Sequence, residues 1–327
     1  MLRIIRVIFV KQNSWEGKKV LVTGGAGFIG SHLTEKLVNL GADVSVLVKS
    51  DIMGGQPNLS NLQNVKDKIE AIPCNISEND VITTIIKNKP DVIFHLAAIA
   101  FVDYSFDHPF EVIRANYIGT LNILQAAMSI NIERVVVTSS SEAYGTAQYI
   151  PIDEKHPLNP TSPYAASKVA ADRTAFSFWQ TYSLPIAIIR PFNTYGPRHT
   201  YDVIPKFIKF ALKGEPLTIY GNGEQRRDFI YIDDMVDAFL IMGSDRKAIG
   251  EVVNFGSGKD VSINELAGLI IKLSGSKSKI VHVEKRLAEV DRLICDYSKA
   301  KKLFGWEPKV GLEEGLKRNI EYSRKFG

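Results

Sequence analysis

Two hydrophobic periods alternate along the chain. The runs KKVLVTG (from Lys18), DVSVLV, DVIFHLAA, RVVVTSS and PIAIIRP are short, apolar and bounded by turn residues, so they predict buried strands. Between them SHLTEKLVNLG, FEVIRANYIGTLNILQAAMSI and SPYAASKVAADRTAFSFWQTY are longer and amphipathic and predict helices, the first stopped by Gly41. Strand–helix alternation of this kind implies an α/β fold with a parallel sheet covered by helices on both faces. After about residue 195 the segments shorten and turn residues multiply, while SINELAGLIIKLSG and LEEGLKRNIEYSRKF predict two more helices. The expected layout is an N-terminal extension over 1–15, a main unit over 16–195 and a smaller α/β unit over most of 196–327. EVVNFGSG would return a strand near 251–256 to the main sheet.

Composition narrows the partners. Of 327 residues, 45% are hydrophobic and 23% charged, ordinary for a globular chain with material for two units. The net charge of +4, from 40 basic and 36 acidic residues, comes without a block of like charge and does not argue for nucleic acid. Cys74 and Cys295 have neither metal-ligand spacing nor a disulfide framework, so no metal site is expected and a reducing compartment is. MLRIIRVIFV is broken by Arg3 and Arg6 and is too short to span a bilayer. A cytoplasmic protein with no membrane segment is the expectation.

The strongest local signal is VLVTGGAGFIGSHL, which sets Gly24, Gly27, Phe28, Ile29 and Gly30 between the first strand and the first helix. Glycines let backbone approach a pyrophosphate, and the helix N-terminus offers free N–H groups to it. This is the phosphate turn of a Rossmann-type doubly wound sheet, here spaced G-x-x-G-x-x-G. A carboxylate usually ends the second strand and accepts from the adenosine ribose. Val48 stands there instead, followed by Lys49 and Ser50, a cation and a hydroxyl suited to a 2′-phosphate. NADP is therefore expected over NAD, although Asp51 could swing in and restore NAD.

In TSPYAASK, Tyr164 precedes Lys168 by one helical turn, so the two share a face. An ammonium there would stabilise a phenolate and make Tyr164 more acidic. The spacing alone also fits an ordinary helix pair.

TGGAGFIGSHL, HLAA, VVVTSSSEAYG, SPYAASK, RPFNTYGPRH, RRDFIYIDD and KKLFGWEPKVGLEEGL follow one another from Lys18 to the C-terminus. In that order they resemble the extended short-chain dehydrogenases/reductases that act on nucleotide sugars. The resemblance implies that Tyr164 is the redox base, that Lys168 lowers its pKa and binds the nicotinamide ribose, and that Ser140 bonds the sugar hydroxyl. It implies Asn75 and Ile76 against adenine, Leu96, Ala97 and Ala98 beneath the dinucleotide, and Pro191 near the nicotinamide. On the substrate side it implies Asn193, Arg198, Lys206, Arg227 and Arg292, the arginines suiting a pyrophosphate through their planar fork. His95 is expected to be structural. The two long helices would pair with those of a second copy in a homodimer.

The triplet Ser140–Ser141–Glu142 resembles the Thr/Ser–acid–Glu triplet of family 4,6-dehydratases, in which the glutamate removes the C5 proton. Serine in the middle is a poor acid, which leaves proton delivery to a water relayed by Ser141 or to Glu142 acting first as base and then as acid. SSSEAYGTAQYIPIDEKHPLNPTSPYAASK looks most like dehydratases of UDP-N-acetylglucosamine, with NADP held tightly and regenerated at each turnover. A UDP-hexose 4-epimerase would use Tyr164, Lys168 and Ser140 without Glu142. A non-catalytic dinucleotide-binding scaffold is the remote alternative.

Overall fold

The computed structural model describes residues 14–49, 58–285 and 290–326. Along the chain run β1 (Lys19–Thr23), α1 (Phe28–Asn39), β2 (Asp43–Val48), β3 (Ile69–Pro73), α2 (Asp80–Asn88) and β4 (Val92–His95). Then come α3 (Val102–Asp107), α4 (Pro109–Ile113), α5 (Gly119–Met128), β5 (Arg134–Thr138), α6 (Pro163–Tyr182), β6 (Ile186–Pro191) and β7 (Asn193–Tyr195). The last third holds α7 (Val203–Lys213), β8 (Leu217–Tyr220), β9 (Arg226–Tyr231), α8 (Ile232–Ser244), β10 (Val252–Phe255), β11 (Asp260–Ser262), α9 (Ile263–Ser274), β12 (Ile280–Val283), β13 (Arg292–Leu293), α10 (Ser298–Phe304) and α11 (Leu312–Phe326).

Seven parallel strands form the main sheet in the order β10-β6-β5-β4-β1-β2-β3. The direction of winding reverses between β1 and β4, and ligands of such sheets bind at the carboxyl ends of the strands there. The central strands are buried on both faces, which is why they read as continuous apolar runs and not as alternation. The strand from EVVNFGSG does join this sheet, beside β6. β3 gave no apolar run, because Glu70 interrupts it at a half-exposed edge.

Two boundaries differ from the expectation. Trp15, placed in the extension, is buried in the core and packs on Phe94, 5.7 Å between ring centroids. α8, placed in the smaller unit, also covers the main sheet, with Phe239 against Phe94 at 6.4 Å. The single helix expected from FEVIRANYIGTLNILQAAMSI is α4 and α5 joined by a wider π-type turn over Arg114–Ile118. The smaller unit is built on β9, which pairs with β7, β11 and β13, and on the pair β8–β12. α9 opens with a full capping box, the Ser262 hydroxyl accepting from Glu265 N and the Glu265 carboxylate from Ser262 N. Among the described residues no helix is long and apolar enough to cross a membrane.

Candidate active site

A cavity of about 1060 Å³ lies at the carboxyl ends of β1, β4 and β5 and opens toward α7, β8 and β9. At one end is the glycine turn. Gly24 has φ +69°, a conformation that favours glycine, and a Cβ there would stand 2.9 Å from the Ala97 Cα. A Cβ on Gly30 would stand 2.2 Å from the Gly24 carbonyl oxygen. α1 starts at Gly27 with no side-chain cap, so its first N–H groups face the cavity free for an anion.

Phe28, Ile29, Asn75, Ile76, Leu96, Ala97, Ala98 and Pro191 all line the cavity, as do Gly24, Gly27 and Gly30. Asn75 uses its side-chain oxygen on Ser77, accepting from its N–H at 3.1 Å and its hydroxyl at 2.8 Å, which fixes the turn after β3. Lys49 lines the cavity too, exposed and 3.9 Å from Glu111. Ser50, expected beside it, lies outside the described residues. Below, the buried Thr138 hydroxyl has no partner among the described residues. The uncapped helix, the glycine cradle and this unpartnered hydroxyl fit a nicotinamide dinucleotide.

His95 ends β4 between the Thr23 hydroxyl at 2.8 Å and the Thr120 hydroxyl at 2.9 Å. Burial, with a smaller contribution from the Lys168 charge, draws it down to about 3. It is a neutral hydrogen-bonded post.

Tyr164 and Lys168 lie one turn apart on α6, both buried and both on the cavity wall. α6 starts where the Ser162 hydroxyl accepts from Ala165 N at 3.1 Å and Pro163 takes the first turn. Ser140, Ser141 and Glu142 follow β5, where a short 3-10 turn over Ser141–Tyr144 turns Glu142 into the same cavity. Glu142 N donates to the Ser140 hydroxyl at 3.1 Å.

The electrostatics depart from the expectation for Tyr164. Lys168 Nζ donates to the Thr138 carbonyl, and its charge is not among the main influences on the phenol. Burial strips water from a phenolate and pushes Tyr164 up to about 12, its bond with Ser140 lowers it, and the charges of Glu142 and Asp202 raise it further. Burial draws Lys168 down to about 8, against the opposing pull of Asp172. At neutral pH these residues therefore hold a neutral phenol beside an ammonium.

A buried polar network stands behind this pair. Arg190 on β6 donates to Asp172 on α6 at 2.8 and 3.2 Å, and to the Tyr144 hydroxyl at 2.8 Å. Tyr144 donates onward to Asn254 on β10 at 2.7 Å. The network ties the helix of Tyr164 and Lys168 to the turn of Glu142. Nothing in the sequence spacing pointed to it, because its members lie on four separate segments. Asn116, likewise unforeseen, sits in the π-type turn, accepts from Ile99 N at 2.7 Å and donates to the Ser167 hydroxyl at 3.0 Å. A local π-turn leaves the apolar period around it almost unchanged, and such turns recur at functional sites.

The substrate-side expectations divide. Asn193, Lys206 and Arg227 line the cavity, Asn193 donating to the Asp228 carbonyl at 3.2 Å. Arg198 does not line it; this arginine donates to Glu35 at 2.7 Å and to Ser31 at 3.2 Å, fastening its loop to α1. Arg292 does not line it either and is drawn into an ion pair with Asp260, beside Arg226 on the neighbouring strand. Both guanidinium groups found carboxylates on adjacent elements, which a single sequence does not reveal. His199, Tyr201 and Asp202 line the cavity and were not singled out.

Comparisons with known proteins agree with this geometry. The chain is 36% identical over 312 residues to the UDP-glucose 4-epimerase of Mycolicibacterium smegmatis, covering 94% of this chain and 98% of that protein. It is 37% identical over 325 residues to the UDP-N-acetyl-alpha-D-glucosaminuronate decarboxylase of Bacillus cytotoxicus, covering 94% and 98%. The solved dTDP-glucose 4,6-dehydratase DesIV of Streptomyces venezuelae, which holds NAD, superposes with a TM-score of 0.87 at 31% identity over 94% of this chain and 97% of that one. The family model described as GDP-mannose 4,6 dehydratase matches residues 21–319. The chain therefore belongs to that family, the extended short-chain dehydrogenases/reductases that work as nucleotide-sugar dehydratases, epimerases and decarboxylases.

Proposed function

We propose that this enzyme is a nucleotide-sugar 4,6-dehydratase acting on UDP-N-acetylglucosamine. The observation that carries the reading is Glu142, which shares the cavity with Tyr164 closely enough for its charge to raise the phenol. A 4-epimerase needs Tyr164, Lys168 and Ser140 alone. A carboxylate beside them supplies the base for a C5 proton, made acidic by a ketone at C4. The UDP-linked N-acetyl sugar is supported by the sequence likeness of 139–168 to dehydratases of that substrate and by the decarboxylase relative named above.

A bound nicotinamide dinucleotide supplies the hydride acceptor and, at the end, the hydride donor. Tyr164 takes the proton of the C4 hydroxyl from its ionised form, reached once the phenol has given its own proton to solvent, with Ser140 bonding the phenol oxygen and the positive charge of Lys168 favouring that form. Glu142 then takes the C5 proton and water leaves from C5 and C6. Asn193, Lys206 and Arg227 hold the pyrophosphate end. Lys49, with no carboxylate ending β2, favours NADP over NAD; the dinucleotide released on denaturation decides this, since the solved dehydratase relative holds NAD.

Incubation with UDP-N-acetylglucosamine, UDP-glucose and dTDP-glucose, read by mass spectrometry, tests the reading. Loss of one water with solvent deuterium at C5 is expected from the first. Glu142→Gln is expected to abolish that loss with the dinucleotide retained. C4 inversion alone, or full activity of the variant, overturns the assignment. A homodimer through α4–α6 also belongs to this reading, supported by the exposed Phe110, Ile113 and Ile118; a monomer in sedimentation overturns it.

A further inference from the structure

Elimination across C5 and C6 needs a proton for the departing hydroxyl, and Ser141, only 3% exposed, is a poor acid. Building on the dehydratase reading, we propose that Asp202, paired with His199, delivers that proton. The two residues come from the loop 196–202 between β7 and α7. His199 Nε2 lies 3.2 Å from Asp202 Oδ2. The imidazole is almost wholly buried, its side chain 4% exposed, whereas the carboxylate is 57% exposed and faces the cavity. His199 Nδ1 has no partner among the described residues.

The loop is built to hold this pair still. Arg198 fastens it to Glu35 and Ser31, His32 Nε2 bonds the Pro197 carbonyl at 3.0 Å, and Phe28 stacks on His199 at 4.4 Å with the rings 4° from parallel. These contacts keep Arg198 and Asp202 at φ 68° and 70°, where side-chain-bearing residues rarely sit. The carboxylate lines the same cavity as Tyr164, Ser140 and Glu142. Asp202 and Glu142 therefore reach one cavity from different elements, the turn after β5 supplying one and the loop before α7 the other. Two carboxyl groups around one sugar can divide the work of base and acid.

Glu142 takes the proton from C5, and the C5–H electron pair forms the C5–C6 double bond conjugated with the C4 ketone. The C6–O bond breaks with its pair on oxygen. The pair enters the step as imidazolium and carboxylate; the Nε2 proton of His199 passes by way of Asp202 Oδ2 to that oxygen, leaving neutral imidazole and carboxylate, and water leaves. Solvent at the exposed carboxylate returns a proton to the pair, and Glu142, after exchange with solvent, returns a proton to C5 when C6 is reduced.

The experiment compares Asp202→Asn with the unmodified holoenzyme on UDP-N-acetylglucosamine and on its 6-deoxy-6-fluoro analogue, whose fluoride leaves with little need of an acid. Water loss is expected to fall about 100-fold in the variant, the scale of one general acid. Fluoride release is expected to stay within a few-fold of the unmodified enzyme, and deuterium at C5 of recovered substrate to rise. Equal losses on both substrates make Asp202 a structural residue and overturn the proposal, as does undiminished water loss. An unmodified enzyme that only inverts C4 overturns the dehydratase reading itself, a result the variant does not enter.

Discussion

The dinucleotide end of the cavity is made mostly of backbone and small side chains from runs of neighbouring residues. The sugar end takes charged and aromatic side chains from the turn after β5, α6, the loop before α7, α7 and β9. Backbone geometry needs particular residue types at particular spacings, glycine above all, and so leaves a mark in the sequence. A constellation of side chains needs only that the fold bring them together. The first end can be broken by one methyl group and the second by one oxygen, which gives the sharpest test of the contrast. Gly30→Ala puts a carbon atom 2.2 Å from the Gly24 carbonyl oxygen, and protein purified from it is expected to carry no dinucleotide. Tyr164→Phe is expected to lose about 10²- to 10⁴-fold in turnover while its bound dinucleotide, measured by absorbance after denaturation, stays at the unmodified level. A Tyr164→Phe protein without cofactor would mean that the two ends are not separable.

Asp172 and Arg190 lie buried behind the cavity wall, and here stability is at stake. Asp172→Asn leaves the Arg190 guanidinium buried, 2% exposed, without its carboxylate. Removing one partner of a buried pair costs roughly 3–5 kcal/mol. Urea unfolding followed by circular dichroism measures it, with the midpoint expected to fall at unchanged slope. A loss below about 1 kcal/mol would show that Tyr144 and Asn254 hold the arginine unaided.

How much of this could be read beforehand follows the same division. The strands, the phosphate turn and the Tyr164–Lys168 pair were legible because each is a local pattern. The direction in which Lys168 points was not, since its bond to the Thr138 carbonyl depends on how α6 packs across β5. Arg198 and Arg292 misled for a related reason. Arginine near a substrate motif suits phosphate, but Glu35 and Asp260, distant in sequence, are adjacent in the fold and took the charge. Asp202 went unnoticed because a lone aspartate before a helix reads as a cap, and its side chain caps nothing.

His95 offers a smaller test, on the dinucleotide side. Its pKa in the fold is about 3 against 6.5 for an open histidine. Between those values the unfolded chain holds a proton that the fold does not, so stability falls as pH drops from 6.5 toward 3, by about 1.4 kcal/mol per unit. From pH 6.5 to pH 5 the loss is about 2 kcal/mol. His95→Gln keeps hydrogen-bonding groups for Thr23 and Thr120 without the titration, and its unfolding free energy is expected to lose less over that interval. Equal losses would place the acid sensitivity in another group.

The smallest effects separate the two arginines that sequence reasoning had given to the substrate. Arg292→Ala removes a half-exposed guanidinium from Asp260, which Arg226 still pairs at 3.2 Å. With Arg226 still pairing the largely buried Asp260 carboxylate, the cost should stay at about 1 kcal/mol, with KM and kcat unchanged. Arg198→Ala unfastens the loop that carries His199 and Asp202 while touching no cavity surface, so kcat is expected to fall a few-fold at nearly constant KM. A tenfold rise in KM from Arg292→Ala, with kcat intact, would return that residue to the pyrophosphate. The sugar end would then be wider than the present cavity, reaching past β9 to β13.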